Sequence, residues 1–268
     1  MLVILLLIFL MGITNAYDES ISKHAVNLAQ ASYSVSAVDE WDCMTCDTSI
    51  ILTNIVEKEG LRSLQGYDNM LNSIFISFRG SSNMENWIDN IQVKKITPYE
   101  DQNIEVAKGF YKEYTNSKEI LMENLSYLSK KYNTNSVFLT GHSAGAAMAT
   151  LAAYDILSDY KKYDLKYLIT FGSPRVGNKN FAEYFNKYSF TTYRVTHYYD
   201  MVPHVPEEIL GFTHLSNEIW YNEENTEYKI CNDLYEEDSN CSNSCSPIHC
   251  TSTSDHMYYL NVTIGNKN

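Results

Sequence analysis

The chain has 268 residues, of which 44% are hydrophobic and 20% charged, an ordinary balance for a globular protein with one sizeable core. A formal net charge of -13 repels polyanions and anionic lipid headgroups, which argues against a nucleic-acid partner and against a substrate held by basic side chains. The same charge keeps a globular protein soluble.

The first sixteen residues, MLVILLLIFLMGITNA, are apolar from Leu2 to Met11 and then reach the small residues Thr14 and Ala16. This is the pattern of a signal peptide cleaved after Ala16, although the n-region lacks Lys and Arg. The run is too short for the ~20 residues that a membrane anchor requires. The expectation is a mature chain of residues 17–268, secreted or delivered to the lumen of a digestive vacuole, with no transmembrane anchor. All six cysteines lie downstream of the cleavage point. Cys43, Cys46, Cys231, Cys241, Cys245 and Cys250 suit three disulfides in an oxidising compartment, in any of 15 pairings. The CMTC spacing also fits zinc, but secretion favours oxidation. Asn124 (N-L-S) and Asn261 (N-V-T) are glycosylation acceptors on that route, and Asn240 is a less accessible one.

The segment 19–37 spaces Ile21, Ala25, Leu28, Ala29 and Ser32 on one helical face. SIFISFRG (73–80) reads as a short buried strand ending in Gly. Residues 110–132 place Ile120, Leu121, Leu125 and Leu128 at helical spacing, and NSVFLTG follows as a strand. An Ala-rich helix from Ala144 to Leu157 comes next. LKYLITFGSPRVG and TTYRVTHYYDMVP supply two further strands around a helix-like KNFAEYFNKY. This alternation predicts an α/β fold with a mostly parallel sheet flanked by helices. EIWYNEENTEYKI reads as an edge hairpin, and no repeat or linker divides the chain, so a single domain is expected.

Where strand passes into Ala-rich helix the sequence is G-H-S-A-G, a G-x-S-x-G corner in the context of a nucleophile elbow. Gly141 and Gly145 permit the sharp turn, Ser143 projects a hydroxyl, and the N–H of Ala144 points from the helix N-terminus toward the same space. A serine hydroxyl needs a base and a carboxylate to orient that base, in the chain order Ser, acid, His. Asp200 follows an apolar strand and is the chosen acid, preferred over Asp255, whose neighbour in sequence is the candidate base. Among the downstream histidines, His197 precedes any such acid, His204 lies too close to Asp200, His214 reads as packing and His249 sits between two cysteines. His256 is the chosen base.

At these residues the chain resembles the class 3 lipases, the secreted fungal-type triacylglycerol lipases, and the related feruloyl esterases. The resemblance runs from about residue 25 to 265 through ISFRGSSNMENWIDN, GHSAGAAMATLAA, FGSPRVGNKNFA, YRVTHYYDMVPHVP, FTHLSNEIWY and DHMYYL. It implies an α/β-hydrolase fold with Ser143, Asp200 and His256 as the triad. Ser81 and Ala144 would be the oxyanion donors, and the segment carrying Met84, Trp87 and Ile88 an interfacial lid. It further implies Cys43–Cys46 and Cys231–Cys241 bridges, leaving Cys245 and Cys250 to pair. The family's bridge from the N-terminal helix to the far C-terminus has no counterpart here. The expected activity is hydrolysis of acylglycerol esters by a monomer through an acyl-enzyme, with no metal or cofactor. Phospholipid or cell-wall aryl esters are the alternative substrates, and a catalytically silent secreted binding protein is the rival of another class.

Overall fold

The computed structural model describes residues 17–83, 86–87, 92–234, 236–245 and 249–265. The signal-peptide reading of residues 1–16, and Met84 and Ile88 of the lid reading, lie outside the described residues.

One eight-stranded sheet organises the chain, its strands in sequence order: β1 (Ile50–Lys58), β2 (Leu61–Asp68), β3 (Ser73–Phe78), β4 (Ser136–His142), β5 (Asp164–Phe171), β6 (Thr191–His197), β7 (Glu218–Tyr221) and β8 (Tyr228–Ile230). From β3 to β7 neighbours run parallel, while β1, β2 and β3 form an antiparallel meander and β8 turns back on β7. The edge hairpin predicted at 218–230 is β7 and β8. The β1–β2 hairpin was not anticipated; Glu59 and Gly60, both at positive φ, form its turn.

Strand periodicity sorts the core into two layers. Ile74, Ile76 and Phe78 of β3, with Val137 and Leu139 of β4, face α2 (Lys108–Tyr132) and α3 (Ala144–Ser158), while Phe75 and Phe138 face α1 (Glu19–Ser34) on the other side. Leu121, Leu125 and Leu128 of α2 are fully buried in the first layer, each contributing roughly 1.5–3 kcal/mol of hydrophobic stabilisation. Ile120, expected on the same face, is 42% exposed because it lies one residue round the helix from that stripe. The short helix α4 (Lys179–Phe185) is capped by the Asn178 side chain and completes that layer through Phe181 and Phe185.

Helix α1 is buried over more of its circumference than one amphipathic stripe, since Ser22, His24, Gln30 and Ser32 are buried with its apolar residues. Three of the four find partners: His24 meets Asp68 at 2.7 Å, and Ser32 bonds back to the Ala29 carbonyl. Gln30 donates to the Gly265 carbonyl at 3.2 Å and accepts the Gly265 N–H at 2.8 Å. This pair ties the first helix to a late segment of the chain without a covalent bridge.

The disulfides are Cys43–Cys46, Cys231–Cys241 and Cys245–Cys250. Among the described residues one group has metal-like clustering, Glu218 with Cys231 and Cys241, and both its sulfurs are spent in a disulfide. No described helix is long and apolar enough to cross a membrane.

Candidate active site

The carboxyl ends of β3, β4, β5 and β6 lie side by side, and Ser81, Ser143 and Asp200 follow closely on β3, β4 and β6. After β4 the chain makes the sharpest of these turns. Ser143 sits at φ 59°, ψ -129°, a sparsely populated conformation that costs about 1–3 kcal/mol and persists only if its surroundings hold it. Its N–H bonds the Phe171 carbonyl at the end of β5 (2.9 Å), and α3 starts directly behind it. A β-carbon on Gly145 would lie 2.7 Å from the Arg79 carbonyl carbon, and one on Gly141 2.9 Å from the Ala146 nitrogen. Only glycine lets the helix close on the strand. The N–H of Ala144 is in the first turn of α3, where no helical carbonyl can reach it.

Asp200 follows β6 by one short turn, its N–H bonded to the His197 carbonyl. His256 arrives from far along the chain on α5 (Thr253–His256), a single turn capped by Ser252. The Ser252 N–H bonds the Tyr199 carbonyl at 3.1 Å, and the Asp255 carboxylate accepts the Tyr199 N–H at 3.3 Å. The Asp255 carbonyl accepts from His197 Nδ1 at 2.9 Å. Asp255, the rejected acid, thus straps the α5 segment to the end of β6, and His197 helps.

The strap brings His256 Nδ1 to 2.9 Å from each carboxylate oxygen of Asp200. Both residues are buried, as is Ser143. Among the described residues, the buried His256 Nε2 has no hydrogen-bond partner. Burial pushes the Asp200 pKa up, but His256, the Tyr259 hydroxyl and the Val202 N–H together hold it below the usual carboxylate range. Tyr259 donates a short hydrogen bond to Asp200, a contact sequence reasoning missed although the residue stands in DHMYYL. Gly172, at φ +52° after β5, is the floor of this arrangement. A β-carbon there would lie 2.8 Å from Asp200 Oδ2 and from the Tyr259 oxygen, and 2.9 Å from His256 Cε1.

The loop after β3 brings Gly80 and Ser81 against the elbow. A β-carbon on Gly80 would stand 2.6 Å from the His142 carbonyl and 3.0 Å from Ser143 Cβ. Ser81 and Ala144 both line an open cavity of about 440 Å³, together with Trp87, Arg79 and Lys112. The Ser81 hydroxyl donates to the Asn83 carbonyl at 2.9 Å, so in this conformation it is committed to the adjoining segment. Trp87 is half-buried and stacks on Phe110 of α2, ring centroids 5.9 Å apart.

Of the other histidines, His214 is buried with Nε2 at 2.7 Å from the Pro203 carbonyl, a packing role as expected. His204 is buried beside Arg175, and burial followed by that charge lowers its pKa. Sequence reasoning gave no role to the second residue of the G-x-S-x-G corner. His142 is fully buried, its ring centroid 4.4 Å from that of His256.

The family model for lipase (class 3) matches residues 75–209, which hold Ser81, Ser143 and Asp200. A lipase of Rhizomucor miehei is 31% identical over 266 residues, 95% of this chain and 72% of that one. A secreted mono- and diacylglycerol lipase of Fusarium solani is 35% identical over 178 residues, 65% of this chain and 52% of that one. Among solved structures, a triacylglycerol lipase whose catalytic centre is described as a serine protease triad superposes with a TM-score of 0.83. It is 28% identical, covering 93% of this chain and 97% of that one. An α/β-hydrolase sheet, a strained serine corner and an aspartate–histidine pair at its edge thus stand in a chain that belongs to the class 3 lipase family and is an enzyme of that kind.

Proposed function

We propose that the protein hydrolyses acylglycerol esters through Ser143, His256 and Asp200. The observation that carries the reading is the buried His256, held by Asp200 at Nδ1 and unpartnered at Nε2, the nitrogen a proton acceptor must keep available. Ser143 attacks the ester carbonyl and His256 accepts its proton. Asp200 fixes the tautomer and stabilises the imidazolium. The N–H groups of Ser81 and Ala144 take the charge that develops on the carbonyl oxygen. His256 then returns its proton to the leaving alcohol and activates the water that releases the fatty acid. These steps use side chains, main-chain donors and water alone.

The segment of Met84, Trp87 and Ile88 is proposed as a lid over Ser81. The Ser81 hydroxyl, now on the Asn83 carbonyl, becomes an oxyanion donor when the lid carries Asn83 away. Secretion follows from removal of residues 1–16, and the protein works as a monomer at a lipid–water surface. A second reading, cleavage of phospholipid with the same machinery, would use Arg79 and Lys112 in the cavity that holds Ser81 and Ala144, where Glu59 and Glu113 offset their charge.

The test is hydrolysis of triglyceride, phosphatidylcholine and methyl ferulate by the purified wild type and by Ser143→Ala. Triglyceride should be cleaved fastest, with only residual turnover in the variant. Equal activity of the two proteins would remove Ser143 as nucleophile, and a wild type that folds but refuses a fluorophosphonate would favour a binding protein.

A further inference from the structure

Three buried groups outside the triad form one chain of hydrogen bonds. The Gly80 N–H donates to the Tyr33 hydroxyl at 2.9 Å, and that hydroxyl lies 2.9 Å from His142 Nδ1. His142 Nε2 lies 2.7 Å from the main-chain carbonyl of His256. A carbonyl oxygen only accepts, so Nε2 carries the hydrogen. Burial, and then neighbouring His256, pull the His142 pKa down to about 3, which leaves the ring neutral and Nδ1 an acceptor. The Tyr33 O–H therefore donates to Nδ1 while its oxygen receives the Gly80 N–H. All donors point one way, from the loop after β3, through α1 and the second residue of the serine corner, to the main chain of α5.

Resting on the esterase reading above, we infer that Tyr33 and His142 are positioning residues, forming a relay that holds the Ser81 loop and the His256 loop in one register around Ser143. The two loops are far apart in the chain, and the oxyanion donor and the base must meet the same carbonyl group. His142 is suited to the task because it stands beside Ser143 and has an acceptor on one edge and a donor on the other. Gly80 is suited because a side chain there would collide with Tyr33. Displacements of about 1 Å at such groups can cost about 100-fold in rate, whereas substrate binding in the open cavity does not depend on them.

The relay has two halves that substitutions can cut separately. Tyr33→Phe releases Gly80 and leaves His142 on His256. His142→Gln offers an amide N–H near the place of Nε2 but no acceptor near Nδ1, and His142→Asn does the reverse. On a soluble p-nitrophenyl ester, Tyr33→Phe should lower kcat about 10- to 100-fold with KM within twofold. Fluorophosphonate labelling of Ser143 should slow in parallel. His142→Gln should resemble Tyr33→Phe, and the double variant should be no worse than the slower single, because both cut the same half. His142→Asn combined with Tyr33→Phe should lose nearly the product of the two effects.

A Tyr33→Phe protein with a lowered melting temperature but kcat within twofold of wild type would mean that the bonds only satisfy buried polar groups, and the inference would fail. If that variant does not fold, His142→Gln is judged by the same split between kcat and melting temperature. A wild type that labels at Ser143 separates failure of the relay from failure of the esterase reading, which predicts that labelling on its own.

Discussion

His256 Nδ1 is equidistant from the two oxygens of Asp200, 2.9 Å from each, and the Tyr259 hydroxyl closes on one of those oxygens from behind. A carboxylate held from two sides orients the ring more firmly than one free to rotate. Asp200→Asn keeps the shape but offers an amide where the ring needs an acceptor. Its kcat on a soluble ester should fall about 10⁴-fold with the fold intact by circular dichroism. Tyr259→Phe removes only the rear donor and should cost about tenfold.

Gly172 is the position at which the fold and the site make the same demand. Alanine there would place a methyl group within 2.9 Å of Asp200, Tyr259 and His256, on backbone at φ +52° that an L side chain rarely adopts. Gly172→Ala should lower kcat by at least 100-fold, and denaturant unfolding should register a loss of about 1–3 kcal/mol. Wild-type kinetics in that variant would show that the base and acid tolerate displacement.

Trp87 anchors its segment by stacking on Phe110. If the segment is the proposed lid, Trp87→Ala should loosen it and raise activity on monomeric tributyrin relative to emulsified tributyrin. The measurement is rate against concentration through the solubility limit. A rate profile through that limit identical to that of the wild type would mean that the segment does not gate the site.

Glu237 accepts two hydrogen bonds from Arg175, each 2.7 Å, inside a buried cluster. Burial opposes its charge, but His214, Arg175 and Arg194 hold its pKa well below the ordinary carboxylate range. Between the folded value and about 4.3, the unfolded chain takes up this proton and the folded one does not. The stabilisation is therefore fully present above that window and is lost as the pH falls through it. Glu237→Gln should cost roughly 3–5 kcal/mol at pH 7, and its deficit in urea unfolding should shrink as the pH is lowered toward 2. A deficit that stays constant with pH would remove the carboxylate charge as its cause.

The candidate glycosylation acceptors Asn124 and Asn261 are not equivalent. Asn124 lies within α2 with its amide nitrogen bonded to Gln65 Oε1 at 2.7 Å, whereas Asn261 is exposed in the turn between the short paired strands Tyr258–Tyr259 and Val262–Thr263. Expression in a secretory host should give a glycan that Asn261→Gln removes and Asn124→Gln does not, read by the mass shift on deglycosylation. The opposite result would mean that Asn124 is modified before α2 packs.

The parallel strands and their helices were legible because each is a short apolar run or a helical stripe, and the corner because the two glycines of G-x-S-x-G are fixed by backbone sterics and its serine by chemistry. Asp200 and His256 could be chosen by chain order. The β1–β2 hairpin was not read because its strands mix Asn, Glu, Gln and Arg with apolar residues. Tyr33, His142 and Tyr259 were missed because their roles depend on partners tens to hundreds of positions away, which no local pattern records. Ile120 was misplaced because apolar character alone does not reveal where a helical stripe ends.

If His256 is the base proposed above, the route by which it reaches the corner also governs when the protein becomes reactive during synthesis. His142 and His256 stand 114 positions apart, so β4, the strained bend and the first turn of α3 leave the ribosome long before the imidazole they need. Until α5 is threaded onto the end of β6, the nascent polypeptide displays a hydroxyl with nothing to deprotonate it. On the proposed mechanism, a premature stop codon anywhere between the two would yield a fragment incapable of attacking lipid in the cell that makes it.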